Sequence, residues 1–363
     1  MFAEVLLAGL SFILRKQIPC SGLGKMSFYR TMSVLSQRII AFLAAACTSI
    51  QAHAQSMIDL GTLPGGNESE ARGVSADGSV VVGNGNITGG SHRAFRWTSA
   101  GGMENLGTLP GGKYSVAYGV SADGSVVVGS GGITGGSDRA FRWTSAGMTD
   151  LGTFPGGSHS YAYGVSANGN VVVGKSGRSA FRWTSAGMTD LGTLPGWEYS
   201  SATGVSADGK VVVGYAHIQG AKLIDRAFRW TSAGMTDLGT LPGGNWSEAH
   251  GVSADGSVVV GFSKSTNGGR AFRWTSAGMT DLGTLPGGNY SRACGVSADG
   301  SVVVGYSTST NGCHAFRWTS AGMTDLGTLP GKNASEARGV SADGSVVVGR
   351  SRNGSTNGQR AFR

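Results

Sequence analysis

The sequence predicts an all-β fold, a seven-bladed β-propeller built from four-stranded repeats of about 45 residues. Three observations support this prediction. A tandem repeat occurs seven times, each copy contains four short β-prone segments without helical periodicity, and the repetitive region begins and ends within the same repeat unit. Tandem four-stranded units of roughly 40–50 residues are typical of propellers, which usually have about four to eight blades.

The repeat is defined by three clauses in a fixed order. The central clause is Gly-Val-Ser-Ala-Asp-Gly-Ser-Val-Val-Val-Gly or a near copy, and successive copies begin 40 to 47 residues apart. The seven copies begin at Gly73, Gly119, Gly164, Gly204, Gly251, Gly295 and Gly339. Each is preceded by a copy of Leu-Gly-Thr-Leu-Pro-Gly and followed by Ala-Phe-Arg, so that all repeats share one pattern of segments.

A hairpin is predicted in every repeat. The pair Asp77-Gly78, like its equivalents, lies between two β-prone segments, and both positions of an Asp-Gly pair tolerate positive φ. The Val-Val-Val run that follows is apolar at consecutive positions, so both faces of that strand must be covered. Sheets stacked radially on both sides give this cover, whereas one isolated four-stranded sheet does not.

The two ends of the repetitive region predict a closed ring. Residues 57–60 match the segment Gly-Met-Thr-Asp-Leu, and residues 361–363 match the start of Ala-Phe-Arg-Trp-Thr. One blade is therefore expected to combine strands from both ends of the chain. A β-solenoid is the alternative, although solenoid coils are usually shorter, about 20–30 residues, and need end caps that the sequence does not show.

The chain divides into an N-terminal segment, residues 1–54, and the repeats, residues 55–363. From Met26 or Met32 onwards the order is basic residues, an apolar stretch and Ala52-His53-Ala54, which predicts a secretory signal peptide cleaved after Ala54. The residues upstream are interpreted as an N-terminal extension, with the true start at Met26 or Met32.

The signal peptide predicts a secreted or extracellular protein, with a periplasmic or cell-surface location as variants of the same expectation. A lipoprotein anchored through Cys47 is a weaker alternative, because the residues before this cysteine are Ala44-Ala45-Ala46 without the usual leucine. No integral membrane segment is expected in the mature chain.

Composition and charge exclude several classes of protein. The 64 glycines occur without a collagen period, and 14% charged residues are too few for a disordered tail. Of the net charge of +8, the first 55 residues hold five basic groups and one acidic group, so half of the excess lies outside the repeats. No basic cluster of the kind that follows a phosphate backbone occurs, so a nucleic-acid partner is not expected.

The three clauses resemble those of the HAF-repeat family of extracellular bacterial repeat proteins. The family is named for a His-Ala-Phe triplet, which this sequence contains at His314-Ala315-Phe316. The resemblance covers residues 57–363 and implies an exported bacterial protein. It implies no particular activity, so it indicates location rather than chemistry.

The sequence predicts no catalytic residues, no metal site and no cofactor. Nearly all aspartates of the repeats occupy repeat positions, and only Asp138 and Asp225 are unique. The glutamates show no paired spacing for general acid and base, and the histidines show no metal-ligand spacing. The alternative is a polysaccharide lyase or hydrolase with its site at the pore, which would depend on unique carboxylates such as Asp225 or Glu198.

Structural ion pairs are predicted between two repeat positions. The arginine of Ala-Phe-Arg alternates with aromatic residues and so points to the opposite face of its strand, where an unpaired guanidinium would be costly. The aspartates before Leu-Gly-Thr are the expected partners. The arginines are Arg142, Arg182, Arg229, Arg273 and Arg317, and the aspartates are Asp150, Asp190, Asp237, Asp281 and Asp325.

Cys294 and Cys313 are the two cysteines of the repeats and lie in the same unit, so they are candidates for a disulfide in an exported protein. Against this, they map to the second and fourth segments of the unit. Two strand spacings, about 9.6 Å, exceed the ~7 Å limit between the Cα atoms of a disulfide.

The candidate ligand-binding positions form one column of the repeat, just before a serine that all units share. Aromatic rings beside hydroxyls suit stacking on sugars or gripping a protein partner. The alternative is that they only cap the gaps between blades. The candidates are Tyr114, His159, Tyr199, Trp246 and Tyr290.

These observations together predict an exported, non-enzymatic binding or surface-interaction module. Its expected partner is a glycan or a protein surface, bound through one face of the propeller. The chain is expected to be a monomer.

Overall fold

Seven antiparallel sheets surround a central channel in the computed structural model, which describes residues 56–218, 224–354 and 358–363. The described residues contain strands and turns only, and each sheet is one blade of a seven-bladed β-propeller. The predicted fold is therefore confirmed. The predicted signal peptide, with Met26, Met32, Cys47 and Ala54, lies outside the described residues.

Within each blade the strands pair in sequence order. The first strands are β1 (Ser69–Val74), β5 (Ser115–Val120), β9 (Ser160–Val165), β13 (Tyr199–Val205), β17 (Ser247–Val252), β21 (Ser291–Val296) and β25 (Ala334–Val340). The second strands are β2 (Val80–Asn86), β6 (Val127–Gly132), β10 (Val172–Ser176), β14 (Val212–Ile218), β18 (Val259–Ser265), β22 (Val303–Ser309) and β26 (Val347–Arg352). The third strands are β3 (His92–Thr98), β7 (Asp138–Thr144), β11 (Ser179–Thr184), β15 (Ile224–Thr231), β19 (Gly268–Thr275), β23 (Gly312–Thr319) and β27 (Arg360–Phe362). The fourth strands are β4 (Gly102–Asn105), β8 (Gly147–Asp150), β12 (Gly187–Asp190), β16 (Gly234–Asp237), β20 (Gly278–Asp281) and β24 (Gly322–Asp325).

Blades are numbered 1 to 7 in the order of their first strands, and blade 7 takes its fourth strand from the N-terminal side of the repeats. Asp59 forms a β-bridge with Phe362. The amide of Ile58 donates to the carbonyl of Arg363 at 2.9 Å, and the amide of Arg363 donates back at 3.0 Å. The predicted closure of the ring by both ends of the chain is confirmed.

A second closure runs through the turns between first and second strands. The amide of Ala76 donates to the carbonyl of Ala122 in the next blade at 3.0 Å, and equivalent bonds link each blade to the next. The last of them runs from the amide of Ala342 in blade 7 back to the carbonyl of Ala76 at 2.9 Å. Seven identical hydrogen bonds therefore tie the ring together at one end.

The hydrophobic core lies between neighbouring blades. Val80 and Val82 of β2 pack towards blade 2, where Phe141 is fully buried, whereas Val81 packs with Val348 of blade 7. Consecutive valines point to opposite faces of the strand, and each face meets another blade. This is why the run is apolar at every position.

The turn after each first strand is held by side-chain hydrogen bonds. In blade 1 the hydroxyl of Ser75 donates to Oδ1 of Asp77 at 2.6 Å and accepts from the buried amide of Val80 at 2.9 Å. The hydrogen bonds from Ser75 and from the amide and hydroxyl of Ser79 lower the pKa of Asp77 to about 2. Gly78 has a φ of 75°, as an Asp-Gly turn requires.

The predicted pairing of the Ala-Phe-Arg arginines with the Leu-Gly-Thr aspartates is wrong. Phe181 is directly opposite Asp190 and Arg182 is opposite Thr189, so the aspartate shares a face with the phenylalanine and not with the arginine. Each arginine instead donates from Nε to the carbonyl of the turn glycine in the next blade, at 3.1–3.3 Å. These arginines are Arg142, Arg182, Arg229, Arg273 and Arg317.

The aspartates have two other roles. Each accepts a hydrogen bond from the glycine amide two residues later, as Asp150 does from Gly152 at 2.7 Å. Four of the five predicted aspartates also face a basic residue of the neighbouring third strand, which lies two positions before the phenylalanine of Ala-Phe-Arg. These pairs are Arg139–Asp150, Arg226–Asp237, Arg270–Asp281 and His314–Asp325, at 4.0, 3.9, 3.8 and 2.8 Å.

Cys294 and Cys313 are both free, so the candidate disulfide is not present. Cys294 lies on β21 and Cys313 on β23, and β22 separates these two strands. The intervening strand keeps the two cysteines apart, which is why they do not form a disulfide.

Candidate functional site

The two ends of the propeller are built from different connections. The turn face consists of the turns between first and second strands, such as 75–79, and between third and fourth strands, such as 99–101. The loop face consists of the connections between second and third strands, such as 87–91, and from each fourth strand to the next blade, such as 106–114. The turn face has nearly the same residues in every repeat. On the loop face the Leu-Gly-Thr-Leu-Pro-Gly connections also recur, but the loops between second and third strands and the residues just before the first strands differ from blade to blade.

The channel narrows where the first strands approach each other. Its narrow part encloses a cavity of about 200 Å³ and is lined by a Gly-Val pair from every blade, beginning with Gly73-Val74 and ending with Gly339-Val340. A Cβ atom on Gly339 would lie 3.2 Å from the carbonyl oxygen of Arg72, so glycine allows the close approach. Because every lining residue here is Gly or Val, the geometry gives no support to an enzyme site at the pore.

The predicted aromatic residues lie at the entrance to the first strands on the loop face, at one equivalent position in blades 2 to 6. All five side chains are half-buried. The equivalent position holds Glu68 in blade 1 and Ala334 in blade 7. The five residues are Tyr114, His159, Tyr199, Trp246 and Tyr290.

Several of these aromatic rings pack against neighbouring side chains. Nε1 of Trp246 donates to Oε1 of Glu248 at 2.9 Å, and Nζ of Lys264 lies 5.0 Å from the Trp246 ring. The Tyr290 ring lies 5.4 Å from that of Phe262 in the preceding blade. These positions therefore help to pack adjacent blades, in addition to any contact with a ligand.

Two further variable positions in each first strand were not predicted. They flank a buried alanine, as Glu70 and Arg72 flank Ala71, and a β-bulge lies between Ala71 and Gly73. Equivalent bulges occur in all seven first strands, and a bulge redirects the side chain of its extra residue. The bulged residues are Arg72, Tyr118, Tyr163, Thr203, His250, Cys294 and Arg338. The available signal was the variability itself within Ser-x-Ala-x-Gly-Val.

Blades 2 and 3 contribute a tyrosine cluster. The rings of Tyr118 and Tyr163 meet edge to face at 5.2 Å, and those of Tyr161 and Tyr163 stack at 6.1 Å. The hydroxyl of Tyr161 donates to Oδ2 of Asp138 at 2.6 Å, and burial together with this bond raises the pKa of Tyr161 to about 12. The cluster thus presents neutral phenols and flat apolar faces.

Blades 7 and 1 contribute a charged cluster around two buried carboxylates. Nη2 of Arg72 lies 2.8 Å from Glu70, and Nη2 of Arg350 lies 2.9 Å from Glu336. Arg338 bridges the blades, at 2.8 Å from Glu336 and 3.5 Å from Glu70. Burial opposes the charge on Glu336, but the neighbouring guanidinium groups outweigh it and lower the pKa of Glu336.

Blades 5 and 6 are joined by Glu248, His250 and Arg292. Arg292 donates to Oε2 of Glu248, and its Nη2 lies 3.1 Å from Nε2 of His250. Burial opposes ionisation of Glu248, yet the hydrogen bond from His250 and the charge of Arg292 lower its pKa to about 2. Burial lowers the pKa of His250, whose Nδ1 lies 2.7 Å from the carbonyl of Ala293.

A cleft of about 290 Å³ lies between blades 3 and 4 on the loop face. Nδ1 of His217 lies 2.5 Å from Oδ1 of the buried Asp225 in its wall. Burial and the nearby negative charge of Glu248 raise the pKa of Asp225. The other lining residues are Lys175, Gly177, Arg178, Tyr199, Ser200, Ser201 and Tyr215.

The two unique carboxylates considered for an enzyme differ in their surroundings. Asp225 is 6% exposed and paired with His217, whereas Glu198 is exposed at the rim. Among the described residues, no group of three or more His, Cys, Asp or Glu side chains is placed to hold a metal ion. In the same part of the chain, no helix is long and apolar enough to cross a membrane.

No protein-family model matches the chain, and no curated protein matches it in sequence. Solved propellers do resemble it in structure. Oligogalacturonate lyase from Vibrio parahaemolyticus aligns with a TM-score of 0.56 at 9% identity, over 84% of this chain and 92% of that one. A prolyl endopeptidase aligns with a TM-score of 0.53 at 12% identity, over 78% of this chain and 46% of that one.

TolB from Acinetobacter baumannii aligns less well, with a TM-score of 0.42 at 14% identity over 57% of this chain. The aligned region spans about half of the TolB chain, 51%. At these identities the two alignments with TM-scores of 0.56 and 0.53 define the class of fold, a β-propeller, and nothing more specific.

Proposed function

We propose that this chain is an exported, non-enzymatic binding module that recognises a glycan or a protein surface through the loop face. The observation that supports the proposal is the distribution of differences among the seven repeats. The repeats fold alike, so the fold does not require the residues that differ between them. These residues concentrate on one face, around the channel.

The chemistry of the loop face suits recognition. It combines half-buried aromatic rings, the tyrosine cluster and two networks of arginines with buried glutamates. Aromatic and arginine side chains are enriched at binding hot spots, because aromatic rings offer large, rigid contact areas and arginine offers several hydrogen-bond donors. A non-repetitive arrangement of them gives each sector of the face its own ligand preference.

Export and a monomeric state are parts of the same proposal. The predicted signal peptide and the resemblance to the HAF-repeat family support export. In the closed ring every blade is covered on both sides by its neighbours. The fourth strands of blades 1 to 6, which form the outer edges, have only four residues, and such short edge strands discourage pairing with a second molecule. Both features support a monomer.

A glycan array tests the proposal with three proteins: the wild type, a loop-face variant and a turn-face control. The loop-face variant is Tyr199→Ala/Trp246→Ala/Tyr290→Ala, and the control is Ser257→Ala/Ser301→Ala/Ser345→Ala. We expect saturable binding that falls at least tenfold in the loop-face variant and is unchanged in the control. Thermal unfolding of all three checks that the fold is retained.

Equal binding by all three proteins would contradict a role for the loop face. Absence of binding by the wild type would rule out glycan recognition and leave the protein partner. Turnover of a glycan that is lost in Asp225→Asn would instead identify an enzyme.

A further inference from the structure

The cleft between blades 3 and 4 is a partly enclosed space on the loop face that side chains of both blades line. Blade 3 contributes Lys175 and Arg178, and blade 4 contributes Ser201, Tyr215 and His217. Its volume of about 290 Å³ is at the lower limit of the roughly 300–1,000 Å³ of small-molecule sites. The cleft therefore suits a single ring rather than an extended chain.

Two cations are held in this cleft without a carboxylate partner. Nζ of Lys175 lies 5.8 Å from the Tyr161 ring, and the guanidinium of Arg178 lies 5.1 Å from the Tyr199 ring. Neither forms an ion pair within residues 56–218, 224–354 or 358–363. Contact with an aromatic ring restricts each cation and leaves its charge uncompensated.

Neutral polar groups line the opposite side of the cleft. Ser201 is directly opposite Tyr215 on the paired strands β13 and β14, and its hydroxyl is buried. Nδ1 of His217 is hydrogen-bonded to Asp225, whereas Nε2 of the same ring has no hydrogen-bond partner among the described residues. These groups can bind the several hydroxyls of a sugar ring.

The charges of the lining residues favour a monoanion. The formal charges of Lys175, Arg178 and Asp225 sum to +1. One carboxylate brings the occupied cleft to neutrality. A phosphate dianion would leave an excess negative charge in a half-enclosed site, which desolvation penalises.

We propose that this cleft binds one sugar residue that carries a carboxylate, that is, a uronic acid. The carboxylate lies between Lys175 and Arg178, and the ring hydroxyls bind Nε2 of His217 and the hydroxyl of Ser201. The inference rests on the proposed binding role of the loop face and names the ligand class of one part of that face.

Calorimetric titration of the purified chain tests the inference. The ligands are D-glucuronate, D-galacturonate and D-mannuronate, each beside its neutral hexose, with inorganic phosphate as a further arm. We expect at least one uronate to bind at least tenfold more tightly than its neutral hexose and than phosphate. Comparison with the neutral hexoses shows what the carboxylate contributes to affinity. Comparison with phosphate, an anion without a sugar ring, shows what the ring and its hydroxyls contribute.

Variants assign the binding to the cleft. Arg178→Gln and Lys175→Met should each weaken uronate binding at least tenfold. Lys210→Met is the matched control, since it removes one positive charge from an exposed side chain on the turn face of blade 4. It should bind as the wild type does.

Three results would overturn the inference: no wild-type binding of any uronate, wild-type affinity in both cleft variants, or phosphate binding as tight as that of the uronates. The glycan array separates this failure from that of the proposed function. Glycan binding that depends on Trp246 and Tyr290, with blank uronate titrations, rejects the uronate site alone. Absence of all binding through the loop face rejects both.

Discussion

The turn face and the loop face are made by the same seven repeats, yet only one of them is chemically uniform. On the turn face a Ser-Asp hydrogen bond recurs in six blades, with Asn168 as the acceptor in blade 3, and seven alanine hydrogen bonds close the ring. On the loop face the equivalent positions hold tyrosines, arginines, glutamates or serines. The residues of the turn face are thus those that the ring requires, whereas the residues that differ between repeats lie mainly on the loop face.

The two faces share one backbone, so their difference comes from side chains. The bulge that redirects a side chain occurs in all seven first strands, whether the bulged residue is Thr203 or Arg338. A regular scaffold that presents an irregular set of side chains is what a recognition surface needs. The following four experiments test this division, in order of expected effect.

The largest loss of stability is expected for Phe272→Ala. Phe272 is fully buried between blades 4 and 5, so the substitution leaves a cavity and should cost about 3–5 kcal/mol of unfolding free energy. Tyr118→Ala, the matched loss of a half-buried ring at a variable position, should cost about 1 kcal/mol. Denaturant unfolding measures the stability of both variants. Similar losses of stability would contradict the distinction between residues that the ring requires and residues that vary between repeats.

Gly261→Ala should cost about 2–3 kcal/mol, because a Cβ atom there would lie 1.9 Å from the carbonyl oxygen of Glu248. That carbonyl cannot move without disturbing the bulged strand β17. Gly354→Ala is the control, since no atom of the described residues lies within 4 Å of its added Cβ. If unfolding in denaturant shows the two variants equally stable, the close approach at Gly261 is not needed.

Ser253→Ala should cost about 1–2 kcal/mol by removing the acceptor of the buried amide of Val258, at 2.9 Å. The hydroxyls of Ser253 and Ser257 both donate to Asp255, but Ser257 is exposed. Ser257→Ala should therefore change stability by less than about 0.5 kcal/mol. Thermal or denaturant unfolding compares the pair. A smaller effect for Ser253→Ala than for Ser257→Ala would show that the turn hydrogen bonds are dispensable.

The smallest effect is a pH dependence of the loop face. The pKa of Glu248 is lowered from 4.5 to about 2, so its stabilising contribution is complete above pH 4.5 and is lost as the pH falls towards 2. The stability difference between wild type and Glu248→Gln should therefore shrink by about 1 kcal/mol between pH 6 and pH 4. The turn aspartates titrate equally in both proteins and cancel, so the difference reports Glu248 together with Asp225 and His250, whose pKa values it influences. A difference that stays constant with pH would exclude this contribution.

Much of the fold could be predicted because the residues of each clause favour one local structure, a strand or a turn. The Asp-Gly pairs predicted the hairpins, and the unbroken valine runs predicted cover on both faces, which blades 7 and 2 provide for Val81 and Val82. The arginine–aspartate pairing failed for a reason of register. Whether Asp190 faces Phe181 or Arg182 depends on the pairing of β11 with β12, which alternation along one strand does not specify.

The candidate site could be predicted only in part. The column of Tyr199 and Trp246 stood out because aromatic residues are conspicuous in a Gly-rich sequence. The bulge was not visible, so the positions of Glu70 and Arg72 were not recognised. Partners from different blades, such as Glu248 and Arg292, are 44 residues apart and meet only when the ring forms.

The sequence by itself determined the seven blades, their strand order and the closure of the ring, because these follow from short-range propensities repeated many times. Only the tertiary structure decided which side chains face the channel, which charges are paired and where a cleft remains open. Those properties depend on strand register, on bulges and on contacts between blades. They arise when separate repeats pack together, and no single repeat encodes them.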